Sequence, residues 1–466
     1  MIGNTMKEII YAIFLSFFLC GLCGNAEAKK KKEVKKAIKR EVQTPYDKLF
    51  KGKKAFTVNG LMKMHLMAGK VYAEFPIELL NRDLALTSSI EDISDNGEGV
   101  VGQFAGRVNQ FRFTLQDSML QARLVRRYGV KNTGMGKNAD QIIERSNTPG
   151  IFQSYKILAY TPDKKAVVVD MTELFLESSR LTNPFPGYAG NSLYGFVQRI
   201  HKFQSQRSEL LGICGNDNSM SVRCNLGFNV DRLVLGSFMQ AKDVPVSVTV
   251  NKILMLLPED PMRPRLADSR IGVNAIIQTE LPDVCQGIKP YYITKRWRIE
   301  PVDEIRYKQG EMVDVKKPIV FYIDTLMPDS WIKYVKAGAE AWNAAFEKIG
   351  LRNVVRTELF PKDSSFDAGD IHNSVIRYAP SWMYYPQYSM HTDPRTGEIL
   401  NASVYLPANV ASYFYTSRTE ETMAVDPSVR KARLSEEQFG EMFKAKMMQA
   451  IGRCLGLTDN YAASSV

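Results

Sequence analysis

The segment from Ser435 to Gly456 constrains the fold of this chain most. Ser435 and Gln438 form a capping box, and Gly456 fits the end of the helix that the box begins. Between them, apolar side chains recur at spacings of three and four and predict one apolar helix face: Phe439, Met442, Phe443, Met447, Ala450, Ile451 and Cys454. Unless other elements pack on that face, part of it stays exposed to solvent.

A strand, a helix and another strand are predicted ahead of this segment. The strand "KKPIVFYIDT" lies at 316–325, and "ILNASVYLP" at 399–407 is another. The helix between them has Asp329 or Ser330 as its N-cap and Gly350 as its end. Its apolar residues have helical spacing and are predicted to lie in the core: Trp331, Val335, Ala339, Trp342, Phe346 and Ile349.

The chain before residue 300 is rich in strand patterns. "GLMKMHLMAGKVYAEFP" reads as two strands around an Ala68-Gly69 turn, with His65 as a structural residue in the first. Further strands are predicted at Val108–Leu115, "KKAVVVDM" and "VPVSVTVNKILMLLP", before a polar connector at 258–272. We therefore predict an α+β fold, with β-rich N-terminal domains followed by an α/β region that has a mixed sheet and two long helices.

The N-terminus has the pattern of an export signal. Lys7 precedes an apolar run over 9–22, and Ala26 and Ala28 place small residues at a cleavage site after Ala28. A membrane anchor is the alternative, but the run is shorter than the about 20 residues that a span needs. Lipidation of Cys20 or Cys23 is not favoured, because a leucine precedes each. We expect a periplasmic, cell-surface or secreted protein.

The residues that follow the signal are strongly basic. Lys29–Glu41 holds eight basic and two acidic residues, a net +6 of the chain's total of +11. In an exported chain, Lys29–Arg40 is expected to be a solvated tether that contacts anionic lipid or polysaccharide at a membrane surface. Nucleic-acid binding is not favoured, since that needs a basic folded face.

Four cysteines remain after cleavage, at 214, 224, 285 and 454. Cys214 and Cys224 flank the turn-rich loop "GNDNSMSVR", and export permits disulfides. A Cys214–Cys224 disulfide and two free thiols are both consistent with the sequence.

Six segments resemble one protein family: "MRPRLADSRIG" (262–272), "RWRIEP" (296–301), "KKPIVFYIDTLMPDSW" (316–331), "AWNAAFEKIGL" (341–351), "DPRTGEILNASV" (393–404) and "LGLTDNYAASS" (455–465). The family is the exported bacterial zinc-dependent metalloproteases, in which a met-zincin catalytic domain follows two uncharacterised β-rich domains. The resemblance runs from about residue 45 to the end. After the predicted signal peptide (1–28) and basic linker (29–44), it implies a small β-rich domain (45–95), a second β-rich domain (96–310) and an incomplete, zincin-like catalytic domain (311–466).

The family's zinc motif, H-E-x-x-H-x-x-G-x-x-H, is degenerate in this chain. Two histidines four apart bind zinc from one helix face, the glutamate is the general base, and the glycine lets the third histidine reach the metal. With Gly456 as that glycine, the four chemical positions fall on Gln449, Ala450, Arg453 and Asp459. Zinc sites need at least three protein ligands and arginine does not lose its charge, so no zinc cofactor is expected. We expect an Arg453–Asp459 ion pair in that space.

Three functions remain consistent with the sequence. The first is a catalytically inactive, exported member of the metalloprotease family that binds an extended peptide or protein partner along strand 399–407. The second is a truncated product of a protease gene with no function of its own, because the family continues well beyond residue 466.

The third function is an active zinc enzyme with non-standard ligands. His372 and His391, with Asp370 and Asp393 near them in sequence, are the candidate ligands, although both histidines fit exposed polar loops better. Glu398 is not favoured as a base. No G-x-S-x-G nucleophile elbow occurs in the sequence.

Overall fold

The structure is a computed structural model. It describes residues 43–104, 108–125, 130–134, 136–178, 183–185, 191–192, 195–234, 238–282, 287–362, 366–381, 385–431 and 433–460. The predicted signal peptide, Lys29–Arg40 and Cys285 lie outside these ranges. Within them, no helix is both long and apolar enough to cross a membrane.

The helices are α1 Pro45–Phe50, α2 Lys137–Ser146, α3 Thr172–Leu176, α4 Glu304–Lys308, α5 Asp329–Glu340, α6 Asn343–Glu347, α7 Val410–Thr422 and α8 Glu436–Cys454. The strands are β1 Phe56–Val58, β2 Lys63–Met67, β3 Lys70–Pro76, β4 Leu84–Ile93, β5 Asn109–Gln116, β6 Met119–Leu124, β7 Val130–Asn132, β8 Gly150–Tyr160, β9 Ala166–Asp170, β10 Asn191–Ser192, β11 Gly195–Asn216, β12 Ser219–Val234, β13 Phe238–Leu256, β14 Ala275–Leu281, β15 Lys289–Thr294, β16 Val313–Asp314, β17 Ile319–Ile323, β18 Leu351–Arg352, β19 Val355–Leu359, β20 Ser374–Tyr378, β21 Gln387–Thr392 and β22 Ile399–Leu406. The α+β fold class is as predicted.

Twelve strands of the N-terminal part form one sheet, in the order β1-β2-β3-β9-β8-β6-β5-β4-β13-β12-β11-β10. The predicted strand pair in 45–95 is β2–β3, and its turn holds Ala68 and Gly69 at positive φ. His65 is buried in β2 and contacts Glu74 at 2.9 Å, as expected for a structural residue. Because β4 pairs with both β5 and β13, the predicted boundary between residues 95 and 96 falls inside this sheet.

The sheet curves around an apolar core. Leu61 N donates to Asn216 O at 2.7 Å, which connects the segment between β1 and β2 to the end of β11. Alternating side chains of the strands point inward, since successive residues of a strand face opposite sides. The largest of them are aromatic: Phe75, Phe111, Phe113 and Tyr155.

A five-stranded sheet in the C-terminal part has the order β19-β17-β20-β22-β21. Its first four strands are parallel, and β21 pairs antiparallel with β22. The sequence placed the peptide-binding edge on strand 399–407. That placement is wrong, because β22 has β20 on one side and β21 on the other. At this end of the sheet the edge strand is β21, and at the other end it is β19.

The helix predicted from Asp329 to Gly350 is two helices, α5 and α6. The reason is tertiary: Asn343 exchanges two hydrogen bonds with the backbone of Val355, at 2.8 and 2.9 Å, and Trp342 Nε1 donates to Met448 O at 2.9 Å. The predicted side-chain cap is also wrong, since Asp329 is already helical and Pro328 is the N-cap. Helix α7 was not predicted.

The disulfide alternative is also wrong, because Cys214 and Cys224 are free thiols. They lie on β11 and β12, where Cys214 is opposite Ser221 and Cys224 is opposite Leu210. The two cysteines are therefore several positions apart along the strand pair. Cys224 is buried and donates from Sγ to Phe175 O at 3.2 Å.

Candidate functional site

Helix α8 carries the candidate site and is held by local and tertiary contacts. The predicted capping box is present, with Gln438 N donating to Ser435 Oγ and Ser435 N to Gln438 Oε1, each at 3.2 Å. Gly440 and Gly452 let α8 lie close to the aromatic rings of the α5–α6 region, where an added Cβ would be 2.1 and 2.6 Å from ring atoms. This close packing fixes the rotation of α8 about its axis, and it therefore also fixes where the opposite face of the helix lies.

Gly456 turns the chain at the end of α8. Its φ is +99°, a conformation that favours glycine, and a Cβ there would be 2.5 Å from Lys295 O. Past the turn, Asn274 N donates to Gly456 O at 2.7 Å and Thr458 N to Gly272 O at 2.9 Å. These bonds fix residues 456–458 against the polar connector and place Asp459 beside the helix.

The four degenerate motif positions lie in one region. Gln449 is exposed, Ala450 is 7% exposed, and both face the same groove as Arg453. Arg453 Nη2 donates to Asp459 Oδ1 at 2.8 Å and to Oδ2 at 3.0 Å. This is the predicted ion pair, and its hydrogen bond to Asp459 raises the pKa of Arg453. The ion pair stabilises the positive charge of Arg453 at one of the predicted motif positions.

A groove of about 540 Å³ runs along this face of α8. It lies between α8, α7 and the start of β21. Its lining residues are aromatic, amide or basic, with one alanine and one proline: Tyr385, Pro386, Gln387, Tyr388, Tyr413, Phe414, Lys446, Gln449, Ala450 and Arg453. The volume is in the range of ligand sites, about 300–1,000 Å³. The sequence predicted the residues that α8 contributes to this groove, but not those that α7 contributes.

Aromatic and ionic contacts organise the groove. The guanidinium carbon of Arg453 lies 5.9 Å from the ring centroid of Tyr388, within cation–π range. The rings of Tyr385 and Tyr413 are 6.2 Å apart and connect the β21 side to α7. Lys446 pairs with Glu421 of α7 at 3.1 Å.

The alternative ligands do not form a metal site. His372 is exposed, as predicted, and its Nδ1 is 2.8 Å from Asp370 Oδ1. The expectation for His391 is wrong: it lies buried in β21, with its ring 4.8 Å from that of Phe104. Across the described parts of the chain, no three His, Cys, Asp or Glu residues are grouped so as to hold a metal ion.

The nearby carboxylates have structural partners. Asp393 is buried, and its Oδ2 is 2.7 Å from Arg395 Nη2. Glu398 accepts two hydrogen bonds from Arg298, each at 2.9 Å. Neither carboxylate lines the groove.

Residues 102–302 match the family described as "Domain of unknown function (DUF5117)". Neither the curated proteins nor the solved structures include a match. The matched residues belong mainly to the twelve-stranded sheet and the connector, so the comparison assigns no chemistry to the groove.

Proposed function

We propose that this chain is an exported, non-catalytic relative of the met-zincin metalloproteases that binds an extended peptide in the groove beside α8. One observation carries the proposal: an antiparallel edge strand, β21, borders a groove whose motif positions hold an ion pair. The resemblance in sequence supports the family, and the signal pattern supports export.

The edge strand supports binding of an extended peptide. Among the described residues, β21 pairs with β22 alone, and it is the last strand of its sheet. Its first residues, Gln387 and Tyr388, line the groove. A peptide added as a further strand would bond to the backbone of β21, while its alternate side chains contact the groove's tyrosines.

The donor set supports a non-catalytic function. Three of the motif positions carry the amide of Gln449, the methyl group of Ala450 and the guanidinium of Arg453. The fourth carries the carboxylate of Asp459, which is already paired with that guanidinium. This set does not fit Zn²⁺, which needs three good ligands and is repelled by a fixed positive charge. Ala450 also supplies no general base.

A selection from phage-displayed random peptides tests binding. A selected peptide, labelled with a fluorophore, is titrated with the purified chain and followed by anisotropy. We expect Tyr388→Ala to weaken binding about tenfold or more, because aromatic groove residues dominate such sites. Tyr292→Ala is the matched control, because this strand tyrosine is 51% exposed and lies outside the groove. The affinity of this variant for the peptide should stay within about twofold of that of the wild type.

N-methylation of the same peptide tests strand addition. Methyl groups on alternate backbone nitrogens block one edge of a strand, so one methylation phase should abolish binding and the other should preserve it. Equal binding of both phases would reject strand addition. Failure to select any peptide, or zinc-dependent cleavage of a selected peptide by the purified chain, would reject the proposed function.

A further inference from the structure

We propose that Arg453 recognises a carboxylate of the bound ligand, and that Asp459 occupies this carboxylate position when no ligand is present. The inference rests on the proposed peptide-binding function and names the ligand class: a peptide that carries an acidic group. Asp459 then competes with the ligand as an intramolecular substitute.

The geometry of the ion pair leaves donors of Arg453 for a ligand. Both carboxylate oxygens of Asp459 bond to the same nitrogen, Nη2. A guanidinium has five N–H donors, and the hydrogen bonds to Asp459 come from Nη2 alone, with Tyr388 as a further side-chain partner of Arg453. A carboxylate that approached two different nitrogens would form the stronger two-bond arrangement. Asp459 therefore satisfies Arg453 only in part.

The charge of the groove selects the sign of the ligand. Among the described residues that line it, two, Lys446 and Arg453, are cations, and none is an aspartate or glutamate. Glu421 pairs with Lys446 and Asp459 pairs with Arg453, but neither carboxylate residue lines the groove. A ligand carboxylate is complementary to this wall, whereas a basic ligand would be repelled.

Asp459 can leave without disrupting the fold. Its side chain is 53% exposed, and ion pairs of such exposure contribute little to stability. The backbone beside it is held independently, by the Thr458–Gly272 hydrogen bond and by pairing of Leu457 with Val273. Removal of the Asp459 charge should therefore free Arg453 and leave the groove intact.

Pools of N-acetylated octapeptides test this inference. The pools differ at one central position, fixed as Asp or Asn, and each is made with a free or an amidated C-terminus. We expect the wild-type chain to prefer acidic pools, and Asp459→Asn to tighten their binding by about three- to tenfold without affecting the neutral, amidated pool. Arg453→Gln should abolish the preference, and salt at about 0.5 M should reduce it.

The outcomes separate this inference from the proposed function. Tight binding of neutral and acidic pools alike would overturn carboxylate recognition and leave peptide binding in place. Binding of no pool by either the wild type or Asp459→Asn would overturn both. The two termini distinguish a C-terminal carboxylate from an acidic side chain. If Glu421→Gln, and not Asp459→Asn, bound the acidic pools more tightly, Lys446 would be the residue that recognises the carboxylate. That result would overturn the role of Arg453.

Discussion

Asp459 lies beyond the end of α8, yet both of its carboxylate oxygens contact Arg453 Nη2, at 2.8 and 3.0 Å. The turn at Gly456 allows this contact, because it brings the chain that follows α8 back alongside the end of the helix. Gln449 lies one helical turn before Arg453 and faces the same groove. Gln449, Arg453 and Asp459 are the positions at which the resemblance predicts zinc ligands, and none of them is a histidine.

Restoring the motif should restore zinc binding. The variant combines four substitutions: Gln449→His, Ala450→Glu, Arg453→His and Asp459→His. We expect about one equivalent of zinc by elemental analysis, compared with under about a tenth of an equivalent for the wild type, because three imidazoles then meet at one point. The same chain without Ala450→Glu is the control: it should bind zinc equally, since glutamate is not a ligand. A metal-free quadruple variant that still folds would contradict the assigned register.

Local signals explain why α8 was predictable. Its capping box, its apolar spacing and Gly456 lie in one continuous segment, and the structure has each of them in place. The Arg453–Asp459 pair followed from the same register. These predictions needed no knowledge of distant parts of the chain.

Features that depend on distant contacts were not predictable. Helix α7 has few apolar residues on its core side, chiefly Val410 and Phe414, and its polar residues give no clear period. The break after α5 results from Asn343 bonding to β19. The place of β22 inside its sheet depends on which segments pair with it. The groove combines three separate segments, so the sequence indicated only one wall.

An alanine at Gly338 should destabilise the packing of α5 on α8. Its Cβ would lie 2.6 Å from Met447 Cβ and 2.7 Å from Lys444 O. We expect Gly338→Ala to lower the free energy of unfolding in urea by about 1–3 kcal/mol, the usual cost of overpacking. Lys336→Ala, at an exposed position of the same helix, should change it by less than about 0.5 kcal/mol. Because Gly→Ala normally stabilises a helix, a stabilised Gly338→Ala would contradict the close approach.

The Arg298–Glu398 pair should matter to stability. The Glu398 side chain is only 10% exposed, so Arg298→Met leaves a mostly buried carboxylate unpaired. We expect a loss of about 2–3 kcal/mol in the free energy of unfolding. Arg306→Met is the matched control, since Arg306 and Glu311 form a pair on the surface and its loss should be under about 1 kcal/mol. If both variants lost the same amount, burial of Glu398 would not be the cause.

Lys252 should make stability depend on pH at alkaline values. It is 1% exposed, its Nζ donates to Glu177 O, and burial lowers its pKa from 10.5 to about 8. Between these two values the unfolded chain binds the proton that the folded chain has lost, so the free energy of unfolding rises with pH. The full difference in pKa corresponds to about 3 kcal/mol.

Lys252→Met removes this titration and is the comparison that isolates it. Burial raises the pKa of the neighbouring Cys224 to about 11, which works in the opposite direction, but both proteins keep that thiol. Urea unfolding from pH 7 to 10 should therefore show the stability of the wild type rising relative to Lys252→Met above about pH 8. A constant difference across that range would mean that Lys252 keeps an ordinary pKa in the folded chain.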